Sequence, residues 1–322
     1  MPATLATGGR VLTPASRDAT ALAYENGVIV WAGSDAPGPA LFPDAHHVDL
    51  DGDWVAPAFV ECLTGVNVAG VNVAGIDTDG ADVGGVDAGA ARAAGVVPAG
   101  LPGAHDLDAV ADRVRAGERV VVGPGSDPGR LAAELTRLAD ELGGPVVARS
   151  TPVLIGAVGV GAPDLSDADL AALAAVGTVV LLRPLVDDLT GTDLVRIAGS
   201  GVALAASVQA GTEFRPWDAL RALTSVPGGR GLSPRAAFTA TTRGARRAAG
   251  SRDGATGTLT PGAPATFARW QTGELAVVAA DDAVQRWSTD PRSGVPPMPD
   301  LTGPDPVLRG LVVDGVPAGP AE

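Results

Sequence analysis

Lysine is absent from this chain of 322 residues, so all 23 of its basic side chains are arginines. Without lysine there is no Schiff-base chemistry and no Walker-type phosphate loop, which needs its Lys beside the phosphates. Histidine is scarce as well, occurring only at His46, His47 and His105. A hydrolytic zinc site draws about three protein ligands, mostly imidazoles, to one point, and three scattered histidines do not readily supply them. The single cysteine, Cys62, cannot form an internal disulfide, so nothing in the sequence argues for an oxidising compartment.

Long apolar runs are lacking too. The stretches 153–160 and 178–182 fall far short of the roughly 20 residues that span a bilayer. Met1 to Pro14 is interrupted by Gly8, Gly9 and Arg10, so no secretory leader is expected and the chain reads as cytoplasmic. Acidic side chains outnumber basic ones by 37 to 23, a formal net charge of −14. Such a balance disfavours nucleic acid and anionic membrane as partners, because phosphates are held by clustered cations. The one basic run, Arg243-Gly-Ala-Arg-Arg247, reads as a solvated helix face.

What is present is a strand-rich start followed by alternating elements. Ala21 to Tyr24 and Val28 to Ala32 flank Asn26-Gly27, a pair suited to a type I′ hairpin because both positions tolerate positive φ. Farther on, Asp127-Pro128 is an N-cap with proline at the first helical position, and Leu131, Leu135, Leu138 and Leu142 recur at helical spacing until Gly143-Gly144. Ser166 caps another helix, with Leu165 and Leu170 placed for a hydrophobic staple, and Ser233-Pro234 opens one running to Ala249. Between them Val120 to Val122, Val146 to Ala148, Val153 to Val158, Thr178 to Leu182 and Val202 to Ser207 are strand candidates. This alternation predicts βα units. Residues 66–90 repeat a five-residue unit with Asn or Asp second, read as a Gly-rich loop over the mouth of the fold.

Asp53-Trp-Val-Ala-Pro-Ala-Phe-Val-Glu-Cys-Leu-Thr-Gly65 resembles the first barrel strand of the amidohydrolase superfamily, usually Pro-Gly-Phe-(Val/Ile)-Asp-x-His-x-His. Pro57, Phe59 and Val60 fit that frame. Ala58 replaces the glycine and Glu61 the aspartate, while Leu63 and Gly65 stand where the two metal ligands belong. Asp164 to Pro184 is similar to the stretch running from the sixth strand into the seventh, and Val202 to Gln209 to the eighth strand, with Val208 at the catalytic aspartate. Gly257 to Trp270 resembles a C-terminal strand signature of the family, with Thr266 for its aspartate. The family's two-metal sites use a carboxylated lysine or a glutamate as bridge, and the lysine option has no counterpart in a lysine-free chain.

The resemblance implies an α/β fold: a shortened or distorted (β/α) TIM-like barrel of residues 57–256, beside a composite β-sandwich built from residues 1–56 and 257–322. It implies no metal and no other cofactor, with Leu63, Gly65 and Val208 as lost catalytic positions. Arg149, Arg183 and Gln209 end apolar strands and should face the barrel mouth, where functional groups of this fold collect. With Glu61 they are the candidate binding residues. Two arginines there would suit a small anionic molecule, although pairing with Asp187 or Asp188 is the plainer expectation for each. Cys62 is expected to be a buried hydrophobe, and the three histidines surface residues. The expected role is that of a pseudoenzyme binding a small ligand, partnering an active amidohydrolase or associating with itself. The alternatives are a divergent hydrolase of C–N bonds and a purely structural subunit.

Overall fold

The computed structural model describes residues 2–64, 87–162, 164–273, 275–278, 287–288 and 297–319. Gly65 and nearly all of the 66–90 repeat lie outside the described residues. At the end of the repeat Asp87 caps the helix Ala88–Ala93, its Oδ1 accepting from the amides of Gly89 at 2.8 Å and Ala90 at 3.1 Å.

The N-terminal strands Thr4–Thr7, Ala21–Glu25, Val28–Gly33 and His46–Asp49 form one sheet. Its hairpin turns at Asn26 and Gly27, with φ of 50° and 81°, as the pair of residues predicts. A second sheet draws on both chain ends: Trp54–Pro57 pairs antiparallel with Phe267–Gln271, which pairs with Val307–Val313. Leu22, Ile29, Leu50, Val55, Leu259 and Phe267 pack into one apolar cluster between these elements. Asp53 and Arg269 pin the two chain ends further at 3.0 Å, with little solvent on either side chain.

Six parallel strands follow among the described residues: β1 (Phe59–Thr64), β2 (Val96–Leu101), β3 (Val121–Val122), β4 (Val153–Ile155), β5 (Val179–Leu182) and β6 (Ala203–Ala206). β1 pairs with β2, and β3 to β6 form a separate ladder in the order β6-β5-β4-β3. Among the described residues no ladder joins these two groups into a closed barrel. Val60, Cys62, Val153, Ile155, Val179 and Leu181 pack with Ala245 and Ala248. Their alternates Phe59, Leu154, Val180 and Leu182 belong to the main core with helical Leu131, Leu135 and Leu138. Burial of both faces is why these strands read as unbroken apolar runs.

The helix Pro128–Leu142 forms as expected, capped by Asp127 and stopped at Gly143. Leu131, Leu135 and Leu138 are fully buried, each stabilising the fold by about 1.5–3 kcal/mol. Ser166 and Asp169 make a reciprocal capping box at the helix Asp167–Ala175. One expectation fails: Val146 to Ala148 lie in a short helix, Gly144–Arg149, not in a strand. A three-residue apolar run carries no period that separates the two, and Pro145 in the first turn favours the helix.

The last long helix is continuous in direction but not in winding. Pro234–Thr239 passes through a π turn at Ala240–Gly244 into Ala245–Ala248. Gly244 lets this turn touch β6, since a Cβ there would sit 2.1 Å from the Leu204 carbonyl oxygen. Aromatics are 3% of the chain, yet Trp54, Phe59, Trp217, Phe238 and Trp270 gather in one cluster with ring centroids 5.1–6.2 Å apart. They join β1 and two helices to the sheet shared by the chain ends.

Candidate functional site

Glu61 sits in the middle of β1 and is 2% exposed. The Ser207 hydroxyl, just past the end of β6, donates to it at 2.8 Å from Oε1 and 2.9 Å from Oε2, and the Val208 amide donates to Oε2 at 2.7 Å. A buried carboxylate left unpaired would be costly; here three short contacts satisfy it. Burial nevertheless dominates and pushes its pKa up to about 7, while hydrogen bonds from Val208, Ser207, Gln209 and Cys62 pull the other way. Near neutral pH the group therefore occupies both protonation states. Geometrically it bridges β1 to the end of β6, where no ladder does so among the described residues.

Val208 is fully buried in the main core. Both of its backbone groups are used, since its carbonyl accepts from the Arg215 amide at 2.8 Å. Leu63 lies on β1 opposite Gly100 of β2. Cys62 is 5% exposed and its Sγ donates to the Ala245 carbonyl at 3.2 Å. Burial, reinforced by the Glu61 charge, pushes its thiol well above the ordinary range, so it is an inert core group rather than a nucleophile. Among the described residues no three His, Cys, Asp or Glu side chains gather as a metal-binding group.

Arg183 directly follows β5 and lies against the end of β4, where a Cβ on Gly156 would be 3.0 Å from Nη2. Gly156 is in the left-handed region, with φ of 61°, and its bare Cα is what admits the guanidinium. Asp187 takes up the charge, with Nε to Oδ2 at 3.1 Å and Nη2 to Oδ1 at 2.5 Å. Gln209 begins a two-residue strand, Gln209–Ala210, and its side-chain Nε2 donates to the Gly211 carbonyl at 2.9 Å, a local turn contact. Arg149 is corrected: it ends a helix before β4 begins, at the opposite end of the strands from Arg183, and is exposed. The fold thus brings together Glu61 and Val208, sets Arg183 and Gln209 after neighbouring strand ends, and leaves Arg149 apart.

His46 and His47 are exposed, as expected. His105 differs, being half-buried and bridged in parallel to Val122, with its amide donating to the Val121 carbonyl at 2.8 Å. Desolvation lowers its pKa, and its Nε2 has no hydrogen-bond partner among the described residues. Ser207 was missed as a site residue. Its only sequence signal was its place beside Val208, and a carboxylate–hydroxyl pair 146 residues apart has no local signature.

No family model matches the chain, and no curated protein sequence matches it. Solved structures do. An N-isopropylammelide isopropylaminohydrolase from Burkholderia multivorans superposes with a TM-score of 0.55 at 17% identity, covering 99% of this chain and 98% of that one. An adenosine deaminase from Xanthomonas campestris with bound zinc gives 0.56 at 17% identity, over 98% and 92%. A mutant atrazine chlorohydrolase from Arthrobacter aurescens, complexed with zinc and atraton, gives 0.60 at 12% identity, over 98% and 95%. At such identities the likeness establishes an amidohydrolase-like fold and nothing finer. No helix among the described residues is long and apolar enough to cross a membrane.

Proposed function

We propose that this chain is an amidohydrolase-like protein that has given up metal-dependent hydrolysis and acts as a cytoplasmic pseudoenzyme, binding a small ligand or a protein partner. In this reading residues 1–56 and 257–322 are its composite sandwich, and residues 57–256 its barrel domain. The observation that carries the proposal is the state of Glu61: both carboxylate oxygens are engaged by Ser207 and Val208, and the side chain serves as a strap between β1 and β6.

Zinc is the ion two of the similar structures contain, and the residues here do not fit it. Leu63 and Val208 offer no donor. Cys62 is turned to the Ala245 carbonyl, and a thiol whose pKa is raised resists the deprotonation that metal binding requires. The expected result is well under one zinc, iron or manganese per chain after desalting, and no chelator-sensitive turnover of amides or cyclic amides. About one metal per chain, with turnover abolished by a chelator, would overturn the proposal.

A second reading has one observation in its favour. A carboxyl group with a pKa of about 7 beside a serine hydroxyl is poised for general acid–base work near neutrality, which suits a divergent hydrolase of C–N bonds. Turnover that survives a chelator and disappears in Glu61→Gln would select it.

A further inference from the structure

We infer that the cleft at the N-terminal ends of β4, β5 and β6 binds a phosphate-bearing small molecule. This site is separate from the Glu61 strap and independent of the role proposed above. The cavity has a volume of about 480 Å³. Its floor comes from Thr151 before β4, Gly177 before β5 and Leu204 in β6. Its cations are Arg243 and Arg247 from the helix that covers these strands, and Arg252 from the loop after it.

The chain carries a net charge of −14, and eleven of its 21 described arginines pair with a carboxylate. Arg113, Arg115, Arg137, Arg196 and Arg230 each have one within 3.0 Å. The side chains of Arg243 and Arg247 have neither an ion pair nor a hydrogen bond among the described residues. No acidic residue lines the cleft. The neighbouring Asp253 is occupied by its own loop, accepting from the amides of Ala255 and Thr256 at 2.7 Å and from the Thr256 hydroxyl at 2.6 Å.

The three guanidiniums stand around the opening, and Arg252 is the one fixed there by hydrogen bonds. Arg252 donates to the Thr151 hydroxyl at 2.8 Å and to the Arg149 carbonyl, which fixes it at the rim. A Cβ on Gly177 would lie 3.3 Å from Arg247 Nη2, and one on Gly254 3.8 Å from Arg243 Nη2. One carboxylate is satisfied by a single guanidinium fork, whereas a phosphate presents three oxygens to several donors. Three forks around one cavity therefore suit a phosphate better. Leu204 and Thr239 also line an adjoining cavity of about 400 Å³ whose walls include Val202, Leu232 and Ala240, which leaves an apolar neighbour for the rest of the ligand.

The test uses the full chain and inorganic pyrophosphate, followed by titration calorimetry with ionic strength held constant by sodium chloride. Saturable binding near one per chain is expected. The pair Arg243→Ala and Arg247→Ala should weaken it at least tenfold without moving the urea midpoint, because both side chains are exposed. Arg17→Ala, an exposed arginine in a turn of the N-terminal part that does not line the cleft, should leave binding unchanged. No binding at millimolar pyrophosphate, equal affinity in the double variant, or binding of citrate with none of pyrophosphate would each overturn the inference.

Discussion

Replacing Glu61 with glutamine isolates one proton whose energetics the fold has changed. Burial raises this carboxyl from its ordinary 4.5 to about 7. In the unfolded chain it releases its proton near the ordinary value; in the folded chain it keeps it until about 7. Between those two pH values the native state therefore binds more protons than the unfolded state, so stability falls as pH rises through the window and levels off above it. At about 1.4 kcal/mol per pH unit, the loss comes to ~3 kcal/mol. Glutamine keeps an oxygen that can accept from Val208 and Ser207 but has nothing to titrate. Urea unfolding of both proteins from pH 4.5 to 8 should show the wild type losing about 3 kcal/mol relative to Glu61→Gln, while all other titrations cancel in the difference. A difference that stays flat across this range, or one that grows in favour of the wild type, would show that desolvation of Glu61 does not outweigh its hydrogen bonds from Ser207 and Val208.

Gly244→Ala should cost roughly 1–3 kcal/mol by thermal unfolding, because its Cβ meets the Leu204 carbonyl at 2.1 Å; unchanged stability would mean that the π turn does not press on β6. Asp53→Ala should destabilise by about 3–5 kcal/mol in urea, since it removes the buried carboxylate that Arg269, itself largely buried, pairs with across the sheet shared by the chain ends; a loss below 1 kcal/mol would refute that. Removing residues 257–322 should speed amide exchange in residues 19–33, because the Ile29 amide donates to the Ala263 carbonyl and the Ala265 amide to the Gly27 carbonyl, both at 2.8 Å. Unchanged exchange there would separate the two ends. Cys62 should resist thiol reagents at pH 8 until the protein is unfolded; rapid labelling of the native protein would contradict its burial.

Local chemistry fixed what was legible in advance. The Asn26-Gly27 turn, the Asp127 and Ser166 caps and the leucine spacing of 131 to 138 each depend on neighbours within a few residues, so they could be read one at a time. The order of strands and helices resembling an amidohydrolase was legible for the same reason, as a pattern along the chain. The short run Val146 to Ala148 was not, because three apolar residues suit either a strand or a helix until packing decides. Its misassignment carried Arg149 to the wrong end of the strands.

Composition alone made a histidine-rich metal centre hard to build, since three histidines and no lysine bound the donor set wherever the chain runs. Tertiary structure alone decided what Glu61 does. Its partners, Ser207 and Val208, are 146 and 147 residues away, and its raised pKa comes from the desolvation that folding imposes. Folding likewise turned Arg243 and Arg247, which read as an ordinary solvated helix face, toward Arg252 across one cleft. Sequence spacing sets which side chains share a helix face, but only packing that helix over the strand ends sets which charges from elsewhere meet them, and how little water remains around a carboxylate once they do.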